Sequence, residues 1–98
     1  MYIPTESCTA AFKALSDDTR LRIFQILMED EKCACQLHEQ FDCTQPTISY
    51  HMRVLTESGL VESRRCGATT CYRVRPELGQ AVSALIGLLL AKPEGENV

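Results

Sequence analysis

A mainly α-helical chain carrying one β-hairpin is predicted by three observations. Apolar residues recur at helical spacing up to Gly59, the period then shortens to that of strands between Leu60 and Arg75, and a broadly apolar helix follows from Pro76 to about Ala91. Ninety-eight residues fit one domain spanning 1–98, with no internal repeat, linker or low-complexity segment.

The elements follow in order. Ala10, Ala11, Phe12, Ala14 and Leu15 suit a helix from about Thr5 to Leu15, and Ser16-Asp17-Asp18 supplies the cap and first-turn acids of a second helix reaching about Glu29. Leu21, Ile23, Phe24, Ile26, Leu27 and Met28 give that helix a wide apolar face. After the polar Glu29–Lys32 stretch, residues 33–41 read as a short helix with Leu37 and Phe41 inward. Thr44 then caps a helix from Gln45 to about Ser58, where Pro46 sits in the first turn and Gly59 ends it. Ile48, Met52 and Leu55 fall at i, i+4 and i+7 and face inward.

The terminal helix, 76–91, spreads its leucines over more than one stripe. One small domain covers only part of that surface, so a second copy is expected to cover the rest, giving a homodimer. Lys92 to Val98 reads as a frayed tail. The chain opens without a basic or strongly apolar leader, and its longest apolar run, 81–91, is too short to span a bilayer. A cytoplasmic protein with no membrane partner is the expectation. Its six cysteines are too sparse for a disulfide scaffold, which favours free thiols.

Net charge is −3, but its distribution is uneven. Between Thr44 and Arg75 five arginines against two glutamates give +3, leaving −6 elsewhere. A basic face on an acidic body suits local docking on DNA rather than indiscriminate polyanion binding. Two short helices over 33–58 followed by an arginine-bearing hairpin over 60–75 have the order of a winged helix-turn-helix. On its second helix Gln45, Thr47, Ser49, Tyr50 and Arg53 point outward and are base-edge readers or donors, while Arg64, Arg65 and Arg73 on the hairpin suit flanking phosphates. Taken alone, polar residues on a helix are more often its solvated face.

The stretches Phe12-Lys-Ala-Leu-Ser-Asp-Asp-Thr-Arg-Leu-Arg-Ile and Gln45-Pro-Thr-Ile-Ser-Tyr-His-Met-Arg-Val-Leu-Thr-Glu-Ser-Gly-Leu-Val tip that balance. They resemble the first helix junction and recognition helix of the ArsR/SmtB family of metal-sensing repressors, over about Ala10 to Val74. The resemblance implies a symmetric dimer on a twofold double-stranded operator, with terminal helices at the dimer contact. His51 has two readings, a groove or phosphate contact and a partly buried packing residue.

Cys33-Ala-Cys35 lies just before the recognition helix, and thiolates select soft ions. Residues two apart on an ideal helix point to opposite sides, so one ion on both sulfurs requires the helix to start late or its first turn to distort. The segment Lys32-Cys-Ala-Cys-Gln-Leu resembles the Cys-Val-Cys-Asp-Leu motif of arsenite- and antimonite-responsive members, in which the loaded repressor leaves DNA. Those members often carry a third cysteine where His38 stands here, and trivalent arsenic prefers three sulfurs. Cys8, from either subunit, a buffer thiol and Cys43 are the candidates. The same pair with an amino-terminal cysteine resembles the cadmium- and lead-responsive branch, and His38 suits zinc.

Cys66 and Cys71 flank the hairpin tip and read either as incidental residues or as a separate arsenical or redox site. No histidine follows His51, which removes the zinc site between paired terminal helices. Oxidation of thiols is an alternative trigger to metal binding. No nucleophile elbow, phosphate-binding glycine loop or paired-carboxylate context points to an enzyme.

Overall fold

The computed structural model describes residues 4–90, the side chain of residue 89 excepted. The expected tail from Lys92 therefore lies outside the described residues, as does the predicted helix end at Ala91. The elements run α1 (Thr5–Ala14), α2 (Asp18–Glu29), β1 (Lys32–Cys33), α3 (Ala34–Glu39), α4 (Gln45–Glu57), β2 (Val61–Cys66), β3 (Thr69–Val74) and α5 (Pro76–Leu90). Helices dominate and the small sheet is antiparallel, with strand order β1-β3-β2.

The caps account for the boundaries. Asp17 is extended and its carboxylate accepts from the Arg20 backbone N–H at 3.1 Å, which starts α2. Thr44 does the same for α4, accepting from the Thr47 N–H at 3.3 Å, with Pro46 in the first turn. Gly59, at φ 88°, reverses the chain after α4. Arg75 then closes the hairpin base, its backbone N–H donating to Leu60 O at 2.7 Å and its Nε to Gly59 O at 3.1 Å.

Ile48, Met52 and Leu55 are buried as their spacing requires, against Leu37 of α3, Ile23 and Leu27 of α2, and Leu60 and Val61 at the start of the wing. Burying side chains of this size stabilises by roughly 1.5–3 kcal/mol each, so α4 is anchored along its inner face. Its outer face is thereby fixed in orientation. Phe41 is only half-buried, packed against the core beneath the Arg22 guanidinium, 5.0 Å from its ring centroid.

One expectation needs correction. The segment from Cys33 is not helical at its start: Cys33 is extended (φ −84°, ψ 164°) and pairs with Cys71 of β3, so α3 begins at Ala34. The hairpin edge offers Lys32 and Cys33 backbone partners that a lone two-residue stretch lacks, and this tertiary pairing outweighs helix propensity.

The α2 and α5 apolar faces exceed what the core takes in. Leu21 and Met28 remain exposed, and on α5 Leu88 and Leu90 are 76% and 79% exposed. Between α2 and α5 runs an apolar groove of about 480 Å³ lined by Leu21, Phe24, Met28, Ile86 and Leu90 among others. Gly79 sets the approach of α5 to the sheet, because a Cβ there would fall 2.1 Å from Val74 Cγ1. No helix among the described residues is long and apolar enough to cross a membrane.

Candidate nucleic-acid interface and thiol site

Helix α4 carries Gln45, Thr47, Ser49, Tyr50 and Arg53 on one exposed face. Tyr50 is 52% exposed, which leaves its ring and hydroxyl open to a partner. Thr47 is partly engaged in the cap, its hydroxyl 3.0 Å from that of Thr44. Among the described residues Arg53 has no ion-pair partner, so its guanidinium is available to an incoming acceptor.

His51 stands apart from that face. Its Nδ1 lies 3.1 Å from an Arg20 terminal nitrogen and 3.9 Å from Asp17 Oδ2, and its side chain is only 11% exposed. Arg20 also donates from Nε to Ala14 O at 2.7 Å, tying the α1–α2 junction to the middle of α4. Of the two readings, the geometry favours the packing one. The Asp17 carboxyl is held below its ordinary 3.8, first by the Arg20 backbone N–H and then by the nearby Arg20 and His51 charges.

The wing arginines divide into two kinds. Arg64 makes a two-pronged ion pair with Glu31, Nε and Nη2 each 2.8 Å from a carboxylate oxygen, and Arg73 pairs with Glu62. Arg65 has no such partner among the described residues. Hydrogen bonding from Arg64 holds the Glu31 carboxyl below its ordinary range. Sequence alone did not reveal Glu31 and Glu62 as partners, although the Glu62↔Arg73 register is a simple consequence of the hairpin's turn.

The thiols are free throughout. Late helix initiation brings Cys33 Sγ and Cys35 Sγ to 3.0 Å, meeting the geometric condition set by their two-residue spacing. Cys33 is the N-cap of α3: its backbone N–H donates to Gln36 Oε1 at 2.9 Å, and its sulfur faces the Gln36 N–H. A hydrogen bond from Cys35, followed by the Gln36 N–H, lowers the Cys33 pKa, while Cys33 raises that of Cys35. Of the two thiols, Cys33 is therefore the more readily ionised.

His38 is half-buried and its Nε2 donates to Cys43 O at 3.0 Å, bracing the turn between α3 and α4. Cys35 and His38 line one cleft of about 200 Å³ with Gln45, Ser49 and Met52 of α4 and Tyr72 of β3. Cys8 lies on α1, which packs on α4 and α5, and Cys43 packs against the core. Among the described residues no three His, Cys, Asp or Glu side chains stand assembled around a metal position. The register does not pair Cys66 with Cys71, since Cys66 opposes Thr69 and Cys71 opposes both Arg64 and Cys33, but their diagonal placement on one face leaves the two thiols in contact. The Cys66 thiol and then burial push Cys71 up to about 11.

Two short helices, a three-stranded sheet ending in a projecting hairpin, and flanking helices α1 and α5 define a winged helix-turn-helix. The family profile described as "Bacterial regulatory protein, arsR family" matches residues 17–63. The chain is 42% identical over 76 residues to the arsenic resistance transcriptional regulator ArsR1 of Pseudomonas putida, which covers 76% of this chain but 59% of that protein. It is 35% identical over 83 residues to the arsenical resistance operon repressor of Staphylococcus xylosus, covering 85% of this chain and 80% of the relative. A solved structure described as a possible transcriptional regulator for arsenical resistance superposes with a TM-score of 0.71 at 31% identity, covering 85% of this chain and 86% of the other. The chain belongs to the arsR family of bacterial regulatory proteins.

Proposed function

We propose that this protein is a transcriptional repressor that binds operator DNA as a homodimer in the cytoplasm and releases it when trivalent arsenic or antimony engages Cys33 and Cys35. The observation that carries this reading is the 3.0 Å approach of the two sulfurs at the start of α3, where Cys35 shares a cleft with Gln45 and Ser49 of α4. An ion on this pair rearranges the first turn of α3, and α3 is the support on which α4 rests. Movement there disturbs a helix whose outer face must match a groove.

Homodimerisation is supported by the exposed leucines of α5 and the apolar groove beside α2. DNA contact is assigned to Gln45, Thr47, Ser49, Tyr50 and Arg53 on α4 and to Arg65 on the wing, with Arg64 and Arg73 joining when their carboxylate partners are exchanged for phosphates. The function is binding, not catalysis. Cadmium, lead and zinc form the second effector class, favoured by the place of His38 in the same cleft as Cys35.

The test is operator binding followed by fluorescence anisotropy. Wild-type protein is expected to release DNA on addition of arsenite or antimonite, with cadmium, lead and zinc titrated alongside, and Cys33→Ser/Cys35→Ser is expected to bind DNA normally but stay bound. Linkage requires DNA to weaken effector binding by the same factor. Normal release in the double variant overturns the assignment of the sensor to this pair.

A further inference from the structure

Four of the six thiols lie along one face and edge of the sheet. Side chains alternate across a strand, and directly paired residues share a face. Val61, Tyr72 and Val74 face the core, so Cys71 and its partners Cys33 and Arg64 lie on the opposite, outer side, with Cys66 two positions further toward the hairpin tip. Cys35 joins them through its contact with Cys33.

We infer that Cys71, from the wing strand β3, is the third sulfur ligand of a trivalent arsenic or antimony ion held by Cys33 and Cys35. The inference rests on the proposed sensing role of that pair and names the ligand that completes it. Directly opposed residues in an antiparallel pair have Cβ atoms about 4.5–5.5 Å apart, whereas disulfides prefer about 3.8 Å. The wider spacing suits two sulfurs on one soft ion, with bonds of about 2.3 Å by comparison with zinc thiolates. The backbone is already in place through the Cys33↔Cys71 register. The remaining change is at the side chain: the Cys71 thiol interacts with Cys66, and turning χ1 to another staggered well redirects it.

The other cysteines fit less well. Cys66 opposes Thr69 and stands diagonal to Cys71, about 7–8 Å away by Cα and further still from Cys33. Cys43 packs against the core, and Cys8 sits on a helix packed against α4 and α5. Loading balances without oxidation or reduction. Arsenous acid exchanges three As–O bonds for three As–S bonds, and each thiol proton leaves with a hydroxyl as water.

The consequence for the fold is a clamp between two parts of the DNA-binding surface. Cys35 is in the first turn of α3 and Cys71 is in the wing, so one ion draws the support of α4 onto the sheet. Arg64, opposite Cys71 and bonded to Glu31, lies in the same row. Loading thus reaches the wing as well as the recognition helix.

The experiment is differential alkylation of wild-type protein with and without arsenite, in buffer whose reductant is a phosphine rather than a thiol, followed by peptide mapping. Arsenite-dependent protection is expected at Cys33, Cys35 and Cys71. Cys71→Ser is expected to retain operator binding but to need roughly tenfold or more arsenite for release, while Cys66→Ser responds as wild type. Protection of Cys33 and Cys35 with Cys8, Cys43 or Cys66 in place of Cys71, or with no third cysteine, overturns the inference and leaves the proposed function standing. Absence of protection at both Cys33 and Cys35 overturns the parent reading as well. Because the mapping uses wild-type protein, it decides the question even if Cys71→Ser misfolds.

Discussion

Along α4 the exposed residues Gln45, Ser49, Tyr50 and Arg53 carry no ion pair among the described residues, whereas on the wing Arg64 is held by Glu31 and Arg73 by Glu62. Both regions are exposed and both are rich in donors. They differ in what DNA must displace. On the proposed contacts, a base edge at Arg53 would replace water, whereas a phosphate at Arg64 would first have to replace a two-pronged carboxylate. Counting arginines therefore overstates the wing and understates α4.

The largest effect is expected from Arg53→Ala, which should weaken operator binding by about 1–3 kcal/mol and relax sequence preference, if Arg53 reads a base. Anisotropy with operator and scrambled duplexes checks it. Equal weakening on both duplexes would make Arg53 a phosphate contact and remove the distinction between the regions. A smaller, sequence-independent loss is expected from Arg65→Ala, with the log–log salt slope falling by about 0.9 per subunit, or about 1.8 for the dimer. Arg64→Ala should change binding less than Arg65→Ala, because Glu31 already offsets that charge. Glu31→Gln sharpens the comparison further: it releases Arg64 and should strengthen binding and steepen the salt dependence. An unchanged slope in Glu31→Gln would show that the ion pair does not restrain the wing.

The same contrast separates what sequence made legible from what it did not. The helices of the reading half were readable because their signals are local: Asp17 and Thr44 cap, Pro46 tolerates a first turn, Gly59 takes positive φ, and Ile48, Met52 and Leu55 repeat at helical spacing. The hairpin was readable from the change of period between Leu60 and Arg75. Strand β1 was not, since two residues are too few for a period and Cys33 is extended only because β3 supplies partners. For the same reason Cys71 looked like a hairpin residue rather than a neighbour of Cys33. His51 was ambiguous because its engagement with Arg20 and Asp17 comes from an element more than thirty positions away.

The smallest effect concerns how α4 is held rather than what it presents. Asp17 caps α2 and, with Arg20 and His51, joins that helix end to α4; removing the cap by Asp17→Ala should cost about 1 kcal/mol at neutral pH. The Asp17 carboxyl titrates below its ordinary 3.8 in the folded chain, so its ionised form is favoured by folding. That contribution is fully present above the unfolded value and disappears as pH falls through the folded one. Denaturant melts of wild type and Asp17→Ala should consequently differ at pH 7 and converge as pH falls through the folded-state value, which lies below 3.8. Because Asp17 lies away from the wing pairs, its loss should lower stability without altering the salt slope of DNA binding. A changed slope would mean that the α2–α4 link and the wing charges are coupled, and the two regions would have to be treated as one.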